Sequence, residues 1–341
     1  MKCVAINGVK SLEVREAANP VSTDGRVVIK IKKAGICGSD IHYWDAGMPE
    51  GLVMGHEFSG IVLDPGSRED LKAGDRVTAL PISPCGKCEA CESGNPQYCA
   101  VTWSHALGLS LDNPGAMAEE TSFRPDMVKK LPGSVSDEEG AMVEPTAVSY
   151  HAVNLAGIKP GAKVLVIGAG IIGLGCAMFA KKAGASFVAI SETNEARGQK
   201  ALELGVADKL FDGKDPEFAA KAMAETIGGF DVVFECVGIA PAINSAIATV
   251  KQGGTVVMVG VSMKPEAIYT IMEVMKEFKV FGAIAYTVEE FEEVIRMIAN
   301  KEIDVMKFVG DIVSLDKTQE AFERLTNGKE NIVKILIDPE K

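Results

Sequence analysis

The chain has 341 residues, enough for about two domains with separate cores. Its 47 acidic against 35 basic residues leave a net charge of −12, which excludes the basic face that a nucleic-acid or anionic-membrane partner demands. The N-terminus MKCVAINGVK lacks the long apolar core of an export signal. A cytoplasmic setting with eight reduced cysteines is therefore expected, and there metal binding is favoured over disulfides.

From Met1 to about Pro132 the pattern is short strands broken by turns. Val27–Lys32, Phe58–Leu63 and Arg76–Leu80 have strand character, and Asp24-Gly25, Pro65-Gly66 and Gly74-Asp75 separate them. This spacing predicts a compact, mostly β, barrel-like domain. After Gly140 helices and strands alternate to about Phe281, with strands at Val164–Ile167, Phe187–Ile190, Val232–Glu235 and Thr255–Val259. Such alternation predicts an α/β, doubly wound parallel sheet. The tail carries helices near Val288–Ala299 and Leu315–Leu325 and a last strand at Ile332–Ile337. It is expected to rejoin the first domain, giving a discontinuous domain of 1–150 and 284–341 around a dinucleotide-binding domain of 151–283.

The stretch from Lys163 to Arg197 organises the second domain. Val164–Ile167 is an unbroken apolar run, as in a strand buried on both faces. Gly168, Gly170 and Gly173 follow at G-x-G-x-x-G spacing, with Ile172 in the same turn, and a helix is predicted to Lys182. The first Gly permits the bend, the second lets a pyrophosphate approach, and the third packs helix on strand at a positive helix N-terminus. A second apolar run ends at Glu192, 24 residues beyond Gly168. A carboxylate there accepts from both adenosine ribose hydroxyls and repels a 2′-phosphate, so NAD is the expected cofactor. Arg197 is the one nearby cation that could receive a 2′-phosphate if Glu192 swung aside. The uncharged window Val164–Ala180 is only marginal for a bilayer span, and its glycines fit a buried nucleotide fold better.

Cys85, Cys88, Cys91 and Cys99 form C-x2-C-x2-C-x7-C in a loop rich in Gly, Pro and Ser. Four thiolates on one loop suit a closed tetrahedral zinc site that organises a segment with little apolar content. An iron–sulfur run opens the same way, but there the fourth Cys follows after three residues and precedes Pro. Here it follows after seven and precedes Ala100. A C-x-x-C redox pair would leave two cysteines over.

Cys37 sits in GICGSDIHYW, His56 and Glu57 in MGHEFSG, and Glu144 in VEPTAVSYHAV. Together they supply the mixed S, N and O donors of a catalytic zinc with one open position. Each also has a plain explanation. Cys37 could be a small buried hydrophobe, His56 a satisfied core histidine, and Glu144 an N-cap before Pro145 at the first helical position.

These segments, in this order, with GAGIIG, FECVG and GAIAYTVEEFEEVI, resemble the zinc-dependent medium-chain dehydrogenase/reductase superfamily. Within it they look most like the polyol branch, especially 2,3-butanediol dehydrogenases. The resemblance implies a GroES-like catalytic domain joined to a Rossmann domain, with the active site in the cleft between them. It implies catalytic zinc on Cys37 and His56, with Glu57 and Glu144 competing for the remaining protein position. A second, structural zinc falls on the four-cysteine lobe. It further implies that Ser39 passes the substrate proton onward and His42 ends the relay, against the plainer alternative of a polar turn. The implied reaction is reversible oxidation of a secondary alcohol or vicinal diol with NAD+, by a homodimer or homotetramer. A hexitol, L-threonine or a sugar-alcohol phosphate are competing substrates, and an inert dinucleotide-binding protein is the non-enzymatic alternative. Only 18 residues separate Cys37 from His56, and this shortened loop bears on substrate identity rather than on the reaction.

Overall fold

The computed structural model describes residues 1–341 except positions 263, 269 and 329. The chain forms two compact units, 1–147 with 286–341, and 148–285.

In the first unit, β1 (Lys2–Ile6) and β2 (Leu12–Glu16) make an antiparallel hairpin. The larger sheet is built from β3 (Val27–Gly35), β4 (Glu57–Asp64), β5 (Arg76–Ala79), β6 (Glu120–Phe123) and β7 (Val128–Lys130). All of these pair antiparallel. The central β3 is buried along almost its whole length, and its Val27, Ile29, Ile31 and Ala34 are fully enclosed. Alternation of these apolar residues with lysines is the period-2 pattern of a strand packed on one face.

The second unit holds β8 (Lys163–Ile167), β9 (Phe187–Glu192), β10 (Lys209–Asp212), β11 (Phe230–Glu235), β12 (Val250–Met258) and β13 (Lys279–Gly282). All are parallel, in the order β10-β9-β8-β11-β12-β13. That is the doubly wound Rossmann order, which reverses direction between β8 and β11. Val164, Leu165 and Val166 are fully buried because helices cover both faces. Leu165, Ala189, Phe211, Phe230, Val233 and Val256 centre one apolar core.

The C-terminal segment returns to the first unit. β14 (Val309–Ser314) runs parallel to β15 (Lys334–Asp338), and β15 pairs antiparallel with β3 through Leu336–Gly35 and Ile337–Ala34. The sheet of the first unit is therefore completed by residues some three hundred positions downstream. Among the described residues no helix is long and apolar enough to cross a membrane.

Candidate active site

Backbone pairing assembles the mixed-donor cluster. In the antiparallel ladder Gly35 faces Glu57, so Cys37, just past the end of β3, arrives beside His56, just before the start of β4. Donor atoms of Cys37, His56 and Glu57 all lie within 4.8 Å of one another. A Cβ on Gly35 would overlap the Glu57 carboxylate, so a glycine is required where that side chain crosses the sheet.

Each member has a buried partner. Asp40 is fully enclosed, and its Oδ2 accepts the Cys37 N–H at 2.9 Å, which closes the first turn of the helix Gly38–Ala46. Its Oδ1 stands 3.5 Å from His56 Nδ1. Burial pulls the His56 imidazolium down, but Asp40 and the Cys37 thiol outweigh it and leave its pKa well above the ordinary value. In the neutral ring that a metal requires, a carboxylate beside Nδ1 favours the proton there and leaves the Nε2 lone pair for the ion. Glu57 is ion-paired with Lys334, and both side chains are sealed from solvent. Lys334 Nζ also donates to the Ile36 carbonyl at 2.8 Å, while Glu57 Oε1 is buried without a hydrogen bond among the described residues. Such an orphaned carboxylate oxygen beside a thiol and an imidazole is what a divalent zinc ligand set requires, so these residues fit the ion.

Glu144 is buried as well and accepts the Tyr286 hydroxyl at 2.8 Å. Burial raises its pKa to about 7; His56 opposes that shift, and the Glu57 charge adds to it. The two glutamates thus differ in compensation: Glu57 has a cation, Glu144 a neutral hydroxyl. Replacing Lys334 by Met is expected to destabilise the metal-free protein by about 3–5 kcal/mol, because it strands a buried carboxylate. The shift in the urea midpoint measures it.

Other expected residues lie as follows. Ser39 is half-buried with Oγ 3.4 Å from His56 Nε2, and His42 lies exposed on the same helix. Glu144 is not an N-cap: the helix Val143–Ala156 begins one residue earlier, which places Pro145 third in its first turn. Trp44 packs its ring 5.7 Å from Phe322 and donates to Gln319, so it is core. Trp103 donates to the Gln97 carbonyl. Asp40, Lys334 and Tyr286 escaped the sequence analysis. Only Asp40 left a signal, three residues after Cys37 in a Cys-Gly-Ser-Asp turn.

The four-cysteine lobe gathers Cys85, Cys88, Cys91 and Cys99 within the same 4.8 Å limit. Cys88 and Cys91 sulfurs are 3.5 Å apart, and the Cys85 N–H points at Cys99 Sγ at 3.3 Å. Backbone N–H groups of Cys85 and Val101 pull the Cys99 thiol down to about 6, toward the thiolate a metal requires.

In the second unit Gly168 has φ +98°, and a Cβ on Gly173 would overlap the Gly168 carbonyl oxygen, so both positions need glycine. A Cβ on Gly170 would meet no protein atom within 4 Å. The second glycine therefore borders open space at the uncapped N-terminus of the helix Ile171–Lys182, where Ile172 is half-buried. That is a cradle for a pyrophosphate. Glu192 ends β9. Its Oε2 accepts the Ala169 N–H at 2.8 Å, and its Oε1 accepts the N–H groups of Thr193 (2.7 Å) and Asn194 (2.9 Å). Arg197 Nε is buried without a hydrogen-bond partner among the described residues.

A doubly wound nucleotide fold joined in one chain to a β domain carrying a Cys–His–Glu cluster defines a metal-dependent oxidoreductase. Residues 172–300 match the zinc-binding dehydrogenase family and residues 23–133 the alcohol dehydrogenase GroES-like domain. A sorbitol dehydrogenase from Halalkalibacterium halodurans is 31% identical over 340 residues, 98% of this chain and 97% of that protein. The structure of 2R,3R-butanediol dehydrogenase from Bacillus subtilis superposes with a TM-score of 0.88 at 32% identity, covering 99% of each chain. A zinc-binding dehydrogenase from Sinorhizobium meliloti bound to NADP gives 0.88 at 29% identity, again covering 99% of each chain. The chain belongs to the zinc-dependent medium-chain dehydrogenase/reductase superfamily, in its polyol dehydrogenase branch. It is an alcohol or polyol dehydrogenase that uses zinc and a nicotinamide cofactor.

Proposed function

We propose that this dehydrogenase reversibly oxidises a secondary alcohol or vicinal diol, of the 2,3-butanediol type, to the ketone with NAD+. The observation that carries the proposal is the convergence of Cys37, His56 and Glu57 donor atoms within 4.8 Å, with Lys334 buried behind Glu57. Cys37, His56 and Glu57 would hold the catalytic zinc, and Glu144, outside that 4.8 Å group but within reach of the charges on His56 and Glu57, is the alternate ligand. Cys85, Cys88, Cys91 and Cys99 hold a second, structural zinc. When bound, the catalytic ion supplies Lewis-acid polarisation of the alcohol oxygen, and NAD+ supplies the hydride acceptor.

The chain's own groups do the rest. Asp40 orients the His56 ring, Lys334 fixes Glu57, and Tyr286 holds the Glu144 carboxyl. Ser39, whose Oγ lies 3.4 Å from His56 Nε2, would take the substrate hydroxyl proton, and His42 on the same helix would end the relay. Gly168, Gly170, Ile172 and Gly173 seat the pyrophosphate and Glu192 the adenosine ribose. Arg197, on the helix that follows β9, is a cation that could answer a 2′-phosphate. A buried second carboxylate near the metal ligands favours a diol, whose second hydroxyl can donate to it.

The likeness to a sorbitol dehydrogenase favours a hexitol as the second substrate class. All eight cysteines are unpaired, which supports a reducing, cytoplasmic setting. The edge strand β13 exposes all four of its residues, Val280 and Phe281 among them, and the helix Thr270–Lys276 exposes Ile271, Val274 and Met275. An exposed edge of this kind would be covered by a second copy of the chain in a homodimer or homotetramer. Initial rates of NADH formation across diols, hexitols and threonine test the proposal: butanediol-type diols are expected to give the highest kcat/KM. Equal inertness of all of them would overturn it.

A further inference from the structure

Glu235 closes β11 in the segment FECVG, and nothing in the reaction outlined above uses it. It is fully buried (0% exposed) and stands at the point where the strand order reverses, in register with Ile167, the residue before the glycine turn. A carboxylate in such a place is costly, and burial raises its pKa. The backbone does not need it, because the Glu235 carbonyl already accepts the N–H groups of Val259 (2.8 Å) and Gly260 (2.9 Å). The side chain serves the next turn instead. Oε1 accepts the N–H groups of Val237 and Gly238, each at 2.8 Å, and Oε2 is buried without a hydrogen bond among the described residues.

That turn is set against its neighbours with little tolerance. A Cβ on Gly260 would overlap the Gly238 nitrogen, and one on Gly238 would come within 2.6 Å of the Val261 carbonyl carbon. A Cβ on Gly168 would lie 2.8 Å from Val237 Cγ2, so the position of Val237 borders the glycine turn itself. Val237, Ile239 and Val261 are nonetheless 41%, 47% and 60% exposed, an apolar wall at the carboxyl ends of β11 and β12. Glu192 ties Ala169 from the β9 side of the glycine turn, and Glu235 ties Val237 from the β11 side. A dinucleotide in this fold crosses the carboxyl ends of the strands at the reversal point. With its adenosine on the β9 side, its other half lies over β11 and β12.

We infer that Glu235 is a positioning residue for the nicotinamide half of the cofactor: by clamping the 237–238 turn it holds Val237, Ile239 and Val261 as the apolar wall against which that half rests. This rests on the dinucleotide reading above.

The test compares NADH with ADP-ribose, which lacks only the nicotinamide ring, by isothermal titration of the zinc-loaded protein. Glu235→Met keeps volume and removes the acceptor. It is expected to raise the Kd for NADH about 10- to 100-fold, the loss of two hydrogen bonds to a carboxylate, and that for ADP-ribose under about threefold. Glu235→Gln retains an acceptor oxygen and is expected to restore NADH binding to within about threefold of the parent. Equal losses for both ligands in Glu235→Met, or none for either, would overturn the inference. Should Glu235→Met fail to fold, Val261→Ser alters the wall at its most exposed residue, and an unchanged NADH Kd there overturns it equally. Parent protein that binds neither ligand would instead overturn the dinucleotide reading, a separate result.

Discussion

Cys37→Ala is expected to lower the zinc content from two ions per chain to one and to reduce alcohol oxidation by at least about 10³-fold. The magnitude follows from the several kcal/mol that a Lewis acid contributes to such a transition state, at 1.36 kcal/mol per factor of ten. The specificity of the loss follows from geometry. Cys37 is half-buried just past the end of β3, and the bond it gives Asp40 comes from its backbone N–H, which alanine keeps, so the fold is expected to survive. The four lobe cysteines form their own cluster and do not share a ligand with it. The ion that remains is therefore the one on Cys85, Cys88, Cys91 and Cys99. Metal analysis on the folded variant reads both quantities. Two retained zincs, or near-parental turnover, would remove Cys37 from the ligand set and with it the proposed chemistry.

The two metal clusters were unequally legible in the sequence, and the reason is chain distance. The lobe occupies fifteen consecutive positions, so its spacing alone declares four donors on one loop. The mixed cluster is instead the product of strand register. Nothing in GICGSD or GHEFSG announces that Gly35 will face Glu57, and the result, Cys37 against His56, needs the β3–β4 ladder. The rivalry of Glu57 and Glu144 was beyond sequence altogether, because what distinguishes them is contributed by the C-terminal segment. Lys334 reaches Glu57 only because β15 pairs with β3, and Tyr286 reaches Glu144 from the first residue of the returning chain. Without those partners two buried carboxylates look alike. With them one is an ion pair with a free oxygen, and the other is a carboxyl whose proton is held near neutrality. The Rossmann unit shows the opposite case: β8, the glycine turn and Glu192 are local in sequence, and their spacing carried the essential geometry. Glu235 was missed because a strand-terminal acid in an apolar run gives no sign of which amides it will collect.

Glu192→Ala is expected to reverse cofactor preference, shifting the ratio of kcat/KM for NAD+ over NADP+ by roughly 10³-fold, about 4 kcal/mol. One loss and two gains move this ratio, and a second loss is common to both cofactors. The carboxylate no longer accepts from the ribose hydroxyls of NAD+, which costs about 1.5–3 kcal/mol for a hydrogen bond to a charged group. The Ala169 N–H also loses its partner, so the glycine turn is less firmly held for either cofactor. Against this, the repulsion of a 2′-phosphate disappears, and Arg197, whose Nε is buried and unpartnered among the described residues, gains an anion to answer. The parent is expected to resist the same change by mere side-chain motion. Glu192 is anchored by three backbone N–H groups, from Ala169, Thr193 and Asn194, and swinging aside would break all of them. A zinc-binding dehydrogenase of 29% identity is bound to NADP on a similar fold, so the fold by itself does not set the choice of cofactor. Steady-state rates with both cofactors at saturating alcohol decide the matter. If the variant keeps its NAD+ preference, Glu192 serves only to tie the glycine turn to the 193–194 turn, and cofactor choice has to be sought at another residue.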